Sequence, residues 1–149
     1  MKNQLEQSIM DVGLIKNLIP QKEPFIMVDR LLYFDETTAE SGFFITEDNL
    51  LSTETCFSEA GLIENMAQSV ALHGGYGAYL NTKGAPKKGF LGTIKTMEII
   101  ELPKINTLIK THIKVNHDIM GVKLSDVTVR DESGKILATA TMKTATVDV

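Results

Sequence analysis

An α+β fold, with an antiparallel sheet wrapped around one long central helix, is what this sequence predicts. Three observations lead there. From Ala60 to Thr82 there is one formal charge, Glu64, and no Lys or Arg, and the apolar residues recur with a helical period. After Gly89 the chain breaks into runs of strand formers separated by turn residues. A single long helix then has to cover a sheet that needs shielding on one face.

The elements follow in order. Asp11–Leu18 is expected to be a short helix, with Asp11 as N-cap, Leu14, Ile15 and Leu18 as its apolar stripe and Pro20 as its stop. Phe25–Phe34 is almost continuously apolar and predicts a strand buried on both faces. Asp35–Thr38 is a polar turn, and Glu40–Thr46 returns antiparallel. Thr46–Glu54 is a polar, acidic loop. In the long helix, Leu62, Ile63, Met66, Ala67, Val70, Ala71 and Gly74 fall on one arc, and Glu64, Asn65, Gln68, Ser69 and Tyr76 on the other. Asn81–Gly89 is a Gly- and Pro-containing loop. Phe90–Glu101 is a strand ended by Pro103. Thr107–Asn116 alternates, with Thr107, Ile109, Thr111, Ile113 and Val115 on one face. Gly121–Arg130 also alternates, but its phase slips, which predicts a bulge near Ser125–Asp126. Asp131–Lys135 is a hairpin turn, and Lys135–Val147 closes the sheet with Ile136, Ala138, Ala140, Met142 and Thr144 on one face.

Composition narrows the function. The 149 residues, 43% hydrophobic and 23% charged, suit one domain spanning 1–149. A net charge of −4 argues against nucleic acid. No apolar run reaches the length of a transmembrane helix. The first ten residues lack an apolar signal core, so cytoplasmic residence is expected. Cys56 is the only cysteine, and no Cys/His spacing suggests a metal. An inert thiol is the simpler expectation for it, since no base is adjacent.

The second face of the long helix is polar but nearly uncharged. A solvated face normally carries several Lys, Glu or Arg. Burial on both sides is therefore expected, in a core on one and against a partner or ligand on the other. One helix cannot shield a six-stranded sheet and have its own second face covered, so a dimer is expected. A lone carboxylate in such a place is a candidate for moving protons. A structural ion pair between Glu64 and a distant Lys is the competing role.

Two motifs sharpen the layout. Ile19–Arg30, IPQKEPFIMVDR, resembles the N-terminal signature of the (3R)-hydroxyacyl-ACP dehydratases, Leu-Pro-His-Arg-x-Pro-Phe-x-x-Val-Asp-Arg. Leu62–Gln68, LIENMAQ, resembles their helix signature, Ile-Ile-Glu-Ala-Met-Ala-Gln. Phe90–Gly92 falls where that family has Phe-Ala-Gly. The layout thus resembles the hotdog fold over roughly residues 14–147. The resemblance implies a site shared across a dimer, with His from one subunit and the helix carboxylate from the other. The substrate would be an acyl chain on a phosphopantetheine thioester, with no further cofactor. Glu64 matches the catalytic carboxylate and Gln68 the Gln one turn later. Glu59 and Ala60 lie at the helix entry, whose N–H groups would face the thioester carbonyl. Phe90, Leu91 and Gly92 would line the substrate.

The departures matter as much. Gln21 stands at the position of the catalytic His, and Ser58–Glu59 replaces the family's Pro-Gly. Glutamine has no titrating proton, so Gln21 can hold a substrate oxygen but cannot be a base. His73 lies about 180° round the helix from Glu64 and about 13 Å along it, so it cannot stand in. His112 shares a strand face with Lys110 and Lys114 and reads as solvent-facing. His117 and Asp118 are adjacent in a strand and point to opposite faces.

Several functions stay open. The chain is a subunit of a heterodimer with a His-bearing hotdog partner, or a homodimeric dehydratase in which Glu64 makes both proton transfers. Alternatively it is an acyl-ACP or acyl-CoA thioesterase using Glu64, or a non-catalytic acyl-binding subunit. A higher oligomer fits each. Lys83, Lys87 and Lys88 form a basic loop that would suit an acidic carrier protein, or would simply be solvated.

Overall fold

The computed structural model describes residues 2–82 and 88–148, with residues 82, 88–91 and 146–148 in backbone only. A short helix is followed by two strands, one 24-residue helix and four strands: α1 (Val12–Leu18), β1 (Arg30–Phe34), β2 (Thr38–Ile45), α2 (Glu59–Thr82), β3 (Lys88–Ile99), β4 (Thr107–Ile119), β5 (Val122–Arg130) and β6 (Ile136–Asp148). The strands form one six-stranded sheet in the order β1-β2-β4-β5-β6-β3, and every neighbouring pair is antiparallel. Helix α2 packs chiefly on β2, β4 and β5 and against α1. This is the hotdog arrangement that the pattern predicts.

Apolar alternation puts the core between α2 and the sheet. Ile109 and Ile113 of β4, Val127 and Val129 of β5, and Leu62 and Met66 of α2 are all fully buried. Each such side chain contributes about 1.5–3 kcal/mol relative to exposure. On β6 the inward face is Ala138, Ala140, Met142 and Thr144, as alternation predicts, but Ile136 at the strand start is exposed. At one edge of the sheet, Ile9 pairs with Leu31 of β1 through two backbone hydrogen bonds, so the N-terminal segment covers that edge. The other edge is β3.

Three expectations need correction. The strand predicted over Phe25–Phe34 begins only at Arg30. Phe25–Val28 stays outside the sheet because its backbone groups are taken by amide side chains of α2. The bulge lies not at Ser125–Asp126 but in β4, where Asn116 is the extra residue between Val115 and His117. Strand β5 keeps its alternation and turns Ser125 inward with Val127 and Val129. Lys123 follows the same phase, and its ammonium lies against Gly74 of α2. Two polar residues on an inward face thus look like a phase slip.

The third correction concerns the faces of α2. Asn65, Gln68 and Ser69 are 0–1% exposed, more hidden than Ile63, Glu64, Ala67 and Gly74, which are half-buried. The amide and hydroxyl side turns into the fold, where each group finds a partner within its own chain. Ser69 Oγ donates to Asn65 O at 2.7 Å and lies 2.7 Å from Ser41 Oγ of β2. What remains half-open is a stripe formed by Ile63, Ala67 and Gly74 about Glu64.

Asp35 and His73 fasten the β1–β2 turn to α2. The Asp35 carboxylate accepts N–H groups of Thr37 and Thr38 and the Tyr33 hydroxyl. Burial pushes that carboxyl up, but these donors outweigh it and hold it below its ordinary value. His73 Nε2 lies 2.9 Å from the Asp35 carbonyl oxygen. A carbonyl only accepts, so Nε2 carries the proton and Nδ1, buried without a partner among the described residues, is bare. Burial lowers the His73 pKa. Because the unfolded chain binds that proton more readily, His73 contributes stability above about pH 6.5 that is lost as pH falls. Chemical denaturation of the unmodified chain is expected to show stability falling from pH 7 to 5, with a smaller slope in His73→Gln. An equal slope in both would exclude His73 as the source.

Candidate active site

Helix α2 starts at Glu59, and Ser58 caps it by accepting the Gly61 N–H at 3.1 Å. The N–H groups of Glu59 and Ala60 have no partner among the described residues, as expected at a helix N-terminus. Both residues are exposed. The first turn thus presents free donors, and the helix dipole favours negative charge there. Glu64 follows one turn later on the half-open stripe.

Among the described residues, Glu64 has one polar contact. Gln68 Nε2 donates to its Oε2 at 2.9 Å. The ion pairs among the described residues are Lys16–Glu23, Arg30–Asp29 and Lys135–Glu101, so no Lys or Arg neutralises Glu64 there. An amide N–H cannot accept a proton. Oε2 is therefore held as an acceptor, and Oε1 has no hydrogen-bond partner among the described residues.

Gln68 is fully buried and fully engaged. Its Oε1 accepts the Met27 N–H at 2.6 Å, and Nε2 also donates to Phe25 O at 2.7 Å. Nothing of this side chain is left over for a substrate, so it orients Glu64 instead. Asn65, absent from the sequence-based site, donates from Nδ2 to Met27 O at 2.8 Å. The two amides thus hold both polar groups of one residue, as a neighbouring strand would.

Gln21 sits between α1 and that clamped segment, and its Oε1 is buried with no hydrogen-bond partner among the described residues. An orphaned buried acceptor costs about 1–3 kcal/mol, so this oxygen is suited to a donor brought by another molecule. Of the remaining candidates, Gly92 is exposed in β3, while Phe90, Leu91 and Lys88 are described in backbone only and Lys83 and Lys87 lie outside the described residues. Cys56 is half-buried with its sulfur 3.4 Å from the Thr53 hydroxyl. His117 is exposed. His112, half-buried, lines an open groove of about 580 Å³ with Tyr33, Glu40 and Lys114, which does not include Glu64. Among the described residues, no three His, Cys, Asp or Glu side chains gather as metal ligands. No helix among them is long and apolar enough to cross a membrane.

A family model described as ApeP dehydratase, ApeP-like, matches residues 14–148. Among solved structures, the chain is similar to the dehydratase heterocomplex ApeI:P from Xenorhabdus doucetiae, at 12% identity and a TM-score of 0.69, covering 88% of this chain and 89% of that one. It is similar to a hypothetical thioesterase with coenzyme A from Streptococcus pneumoniae, at 11% identity and a TM-score of 0.60, covering 79% and 84%. The E. coli PaaI protein of the phenylacetic acid degradation operon follows at 13% and 0.58, covering 77% and 80%. These identities speak for the fold. No curated protein matches the chain.

Proposed function

The chain belongs to the ApeP-like dehydratase family, and from that premise we propose that it is the histidine-lacking half of a hotdog dehydratase pair. Its substrate would be a 3-hydroxyacyl thioester of acyl carrier protein. The observation that carries this is the split fate of the two motif positions. Glu64 keeps its carboxylate, with one oxygen bonded by Gln68, while Gln21, at the position of the family's His, offers only an amide.

Elimination of water needs a base for the α proton and an acid for the departing hydroxyl. In the shared site, an imidazole of the partner removes the α proton. The Glu64 carboxyl, protonated on Oε1, gives its proton to the hydroxyl as the C–O bond breaks. The α C–H electron pair becomes the new C=C bond, and water leaves. Returning the proton from imidazole to Glu64 through solvent resets the site. The free N–H groups of Glu59 and Ala60 would stabilise negative charge on the thioester oxygen, a role typically worth about 2.7–4 kcal/mol per donor. In the second site of such a pair, Gln21 would stand where the base belongs, and that site would bind without turning over.

Support for a partner comes from two sides. The stripe of α2 formed by Ile63, Glu64, Ala67 and Gly74 is half-open, and the similar ApeI:P structure is a heterocomplex. The test is native mass spectrometry of the chain co-expressed with a His-bearing hotdog dehydratase subunit. A one-to-one heterodimer, in preference to two homodimers, is the expected result. Two separate homodimers would contradict the pairing.

A further inference from the structure

We propose that Thr111 and Asn65 are positioning residues for Glu64, acting through a hydrogen-bond relay that crosses the core. The proposal deepens the dehydratase assignment and rests on it only for its catalytic consequence. Thr111 lies on the inward face of β4 between Ile109 and Ile113 and is fully buried. Its hydroxyl donates to Asn65 Oδ1 at 2.6 Å. Asn65 Nδ2 donates to Met27 O at 2.8 Å, Met27 N–H donates to Gln68 Oε1 at 2.6 Å, and Gln68 Nε2 donates to Glu64 Oε2 at 2.9 Å.

Every donor in this series points the same way, from the sheet towards the carboxylate. The bonds strengthen in a low-dielectric interior, and at Met27, where the carbonyl and the N–H belong to different peptide groups, the coupling is one of position. The series also removes choice at each step. The hydroxyl proton of Thr111 fixes which end of the Asn65 amide faces Met27. The Met27 peptide groups then fix which end of Gln68 faces Glu64. Phe25 O takes the other Nε2 hydrogen, so the Gln68 amide has no alternative orientation that satisfies its partners. Flipping either amide would set oxygen against oxygen at a buried position.

The family's helix signature has Ala where this chain has Asn65, so the resemblance gives no cue to the relay. Thr111 never meets the substrate site directly. Its role is to keep Oε2 occupied and Oε1 aimed outward, as a supporting shell must do for a catalytic group.

The test reads the isolated, nitrogen-15-labelled chain by NMR and is independent of turnover. In the unmodified chain, the Gln68 side-chain amide is expected to exchange with solvent at least about tenfold more slowly than that of exposed Gln4, because both its hydrogens are bonded. Thr111→Val should shift the Gln68 amide resonances and speed their exchange severalfold, and Thr111→Ser should restore both. The proposal is overturned if Gln68 exchanges as fast as Gln4, or if Thr111→Val leaves its resonances unmoved. Should Thr111→Val not fold, Thr111→Ala, which also removes the hydroxyl, is read in its place with the same expected and overturning outcomes. In the pair with a His-bearing subunit, Thr111→Val should lower kcat about tenfold with KM little changed, as a displaced catalytic group does. If the unmodified pair does not dehydrate at all, the functional assignment falls while the exchange measurement still decides the relay.

Discussion

Glu64→Gln in the heterodimer is expected to cut dehydration of a 3-hydroxyacyl carrier protein by roughly 10²–10⁴-fold, the usual contribution of a positioned acid or base. The substitution is close to isosteric. Its amide oxygen can accept from Gln68 Nε2 just as Oε2 does, so the relay and the fold should survive. What disappears is the oxygen that carries a proton, because an amide does not titrate. Substrate binding should therefore change far less than kcat, and the melting temperature should stay within a few degrees. Product mass after a timed incubation is the readout. A rate within twofold of the unmodified pair would remove Glu64 from the chemistry.

Gly75→Ala is expected to be strongly disruptive for a single added methyl. A Cβ at that position would collide with the backbone carbonyl of Leu18, the last residue of α1. A backbone carbonyl cannot swing aside as a side chain does, so α1 must move off α2 or one helix must bend. Alanine favours a helix over glycine by about 1 kcal/mol, and overpacking costs about 1–3 kcal/mol or more. Because the obstacle here is backbone, the clash falls at the upper end of that range and dominates, with an expected net loss of about 2 kcal/mol. That corresponds to a fall in melting temperature of roughly 4–8 °C. Gly77→Ala in the same helix is the control. Its Cβ would meet only the Phe34 ring at 3.7 Å, an ordinary contact, so helix propensity should win and stability rise slightly. Equal melting temperatures for the two variants would mean that α1 is not seated on α2 through Gly75. The contact also matters for the site, since the Gln21 segment leaves directly from the end of α1.

Much of the fold was legible because its signals are local. The uncharged run of α2 and the alternation of β4 each follow from a period that needs no knowledge of distant residues. Phe25–Val28 failed for the opposite reason. Its apolar run reads as a strand, but its backbone partners are side chains some forty positions on, which no local window contains. The faces of α2 were misassigned because hydropathy counts Asn65, Gln68 and Ser69 as wet, whereas full pairing inside the chain lets all three be buried. The same holds for Ser125 on β5. At the candidate site, Glu64, Gln68 and Gln21 were singled out through the two motifs, and the geometry gives them different surroundings: Glu64 beside an amide donor, Gln68 fully bonded, and Gln21 with an acceptor unpaired among the described residues. Asn65 and Thr111 were missed. The available signal was Thr111 itself, a hydroxyl set between Ile109 and Ile113 on an inward face, which must find a partner somewhere in the core.

The most direct measurement is the mass of a 3-hydroxyacyl carrier protein after incubation with the purified chain alone and then with its His-bearing partner. A shared site predicts an unchanged mass with the chain alone and loss of one water with the pair. Loss of one water at full rate with the chain alone would contradict it and make Gln21 compatible with a complete site. Release of free acid in either case would contradict it as well, and would assign Glu64 to thioester hydrolysis.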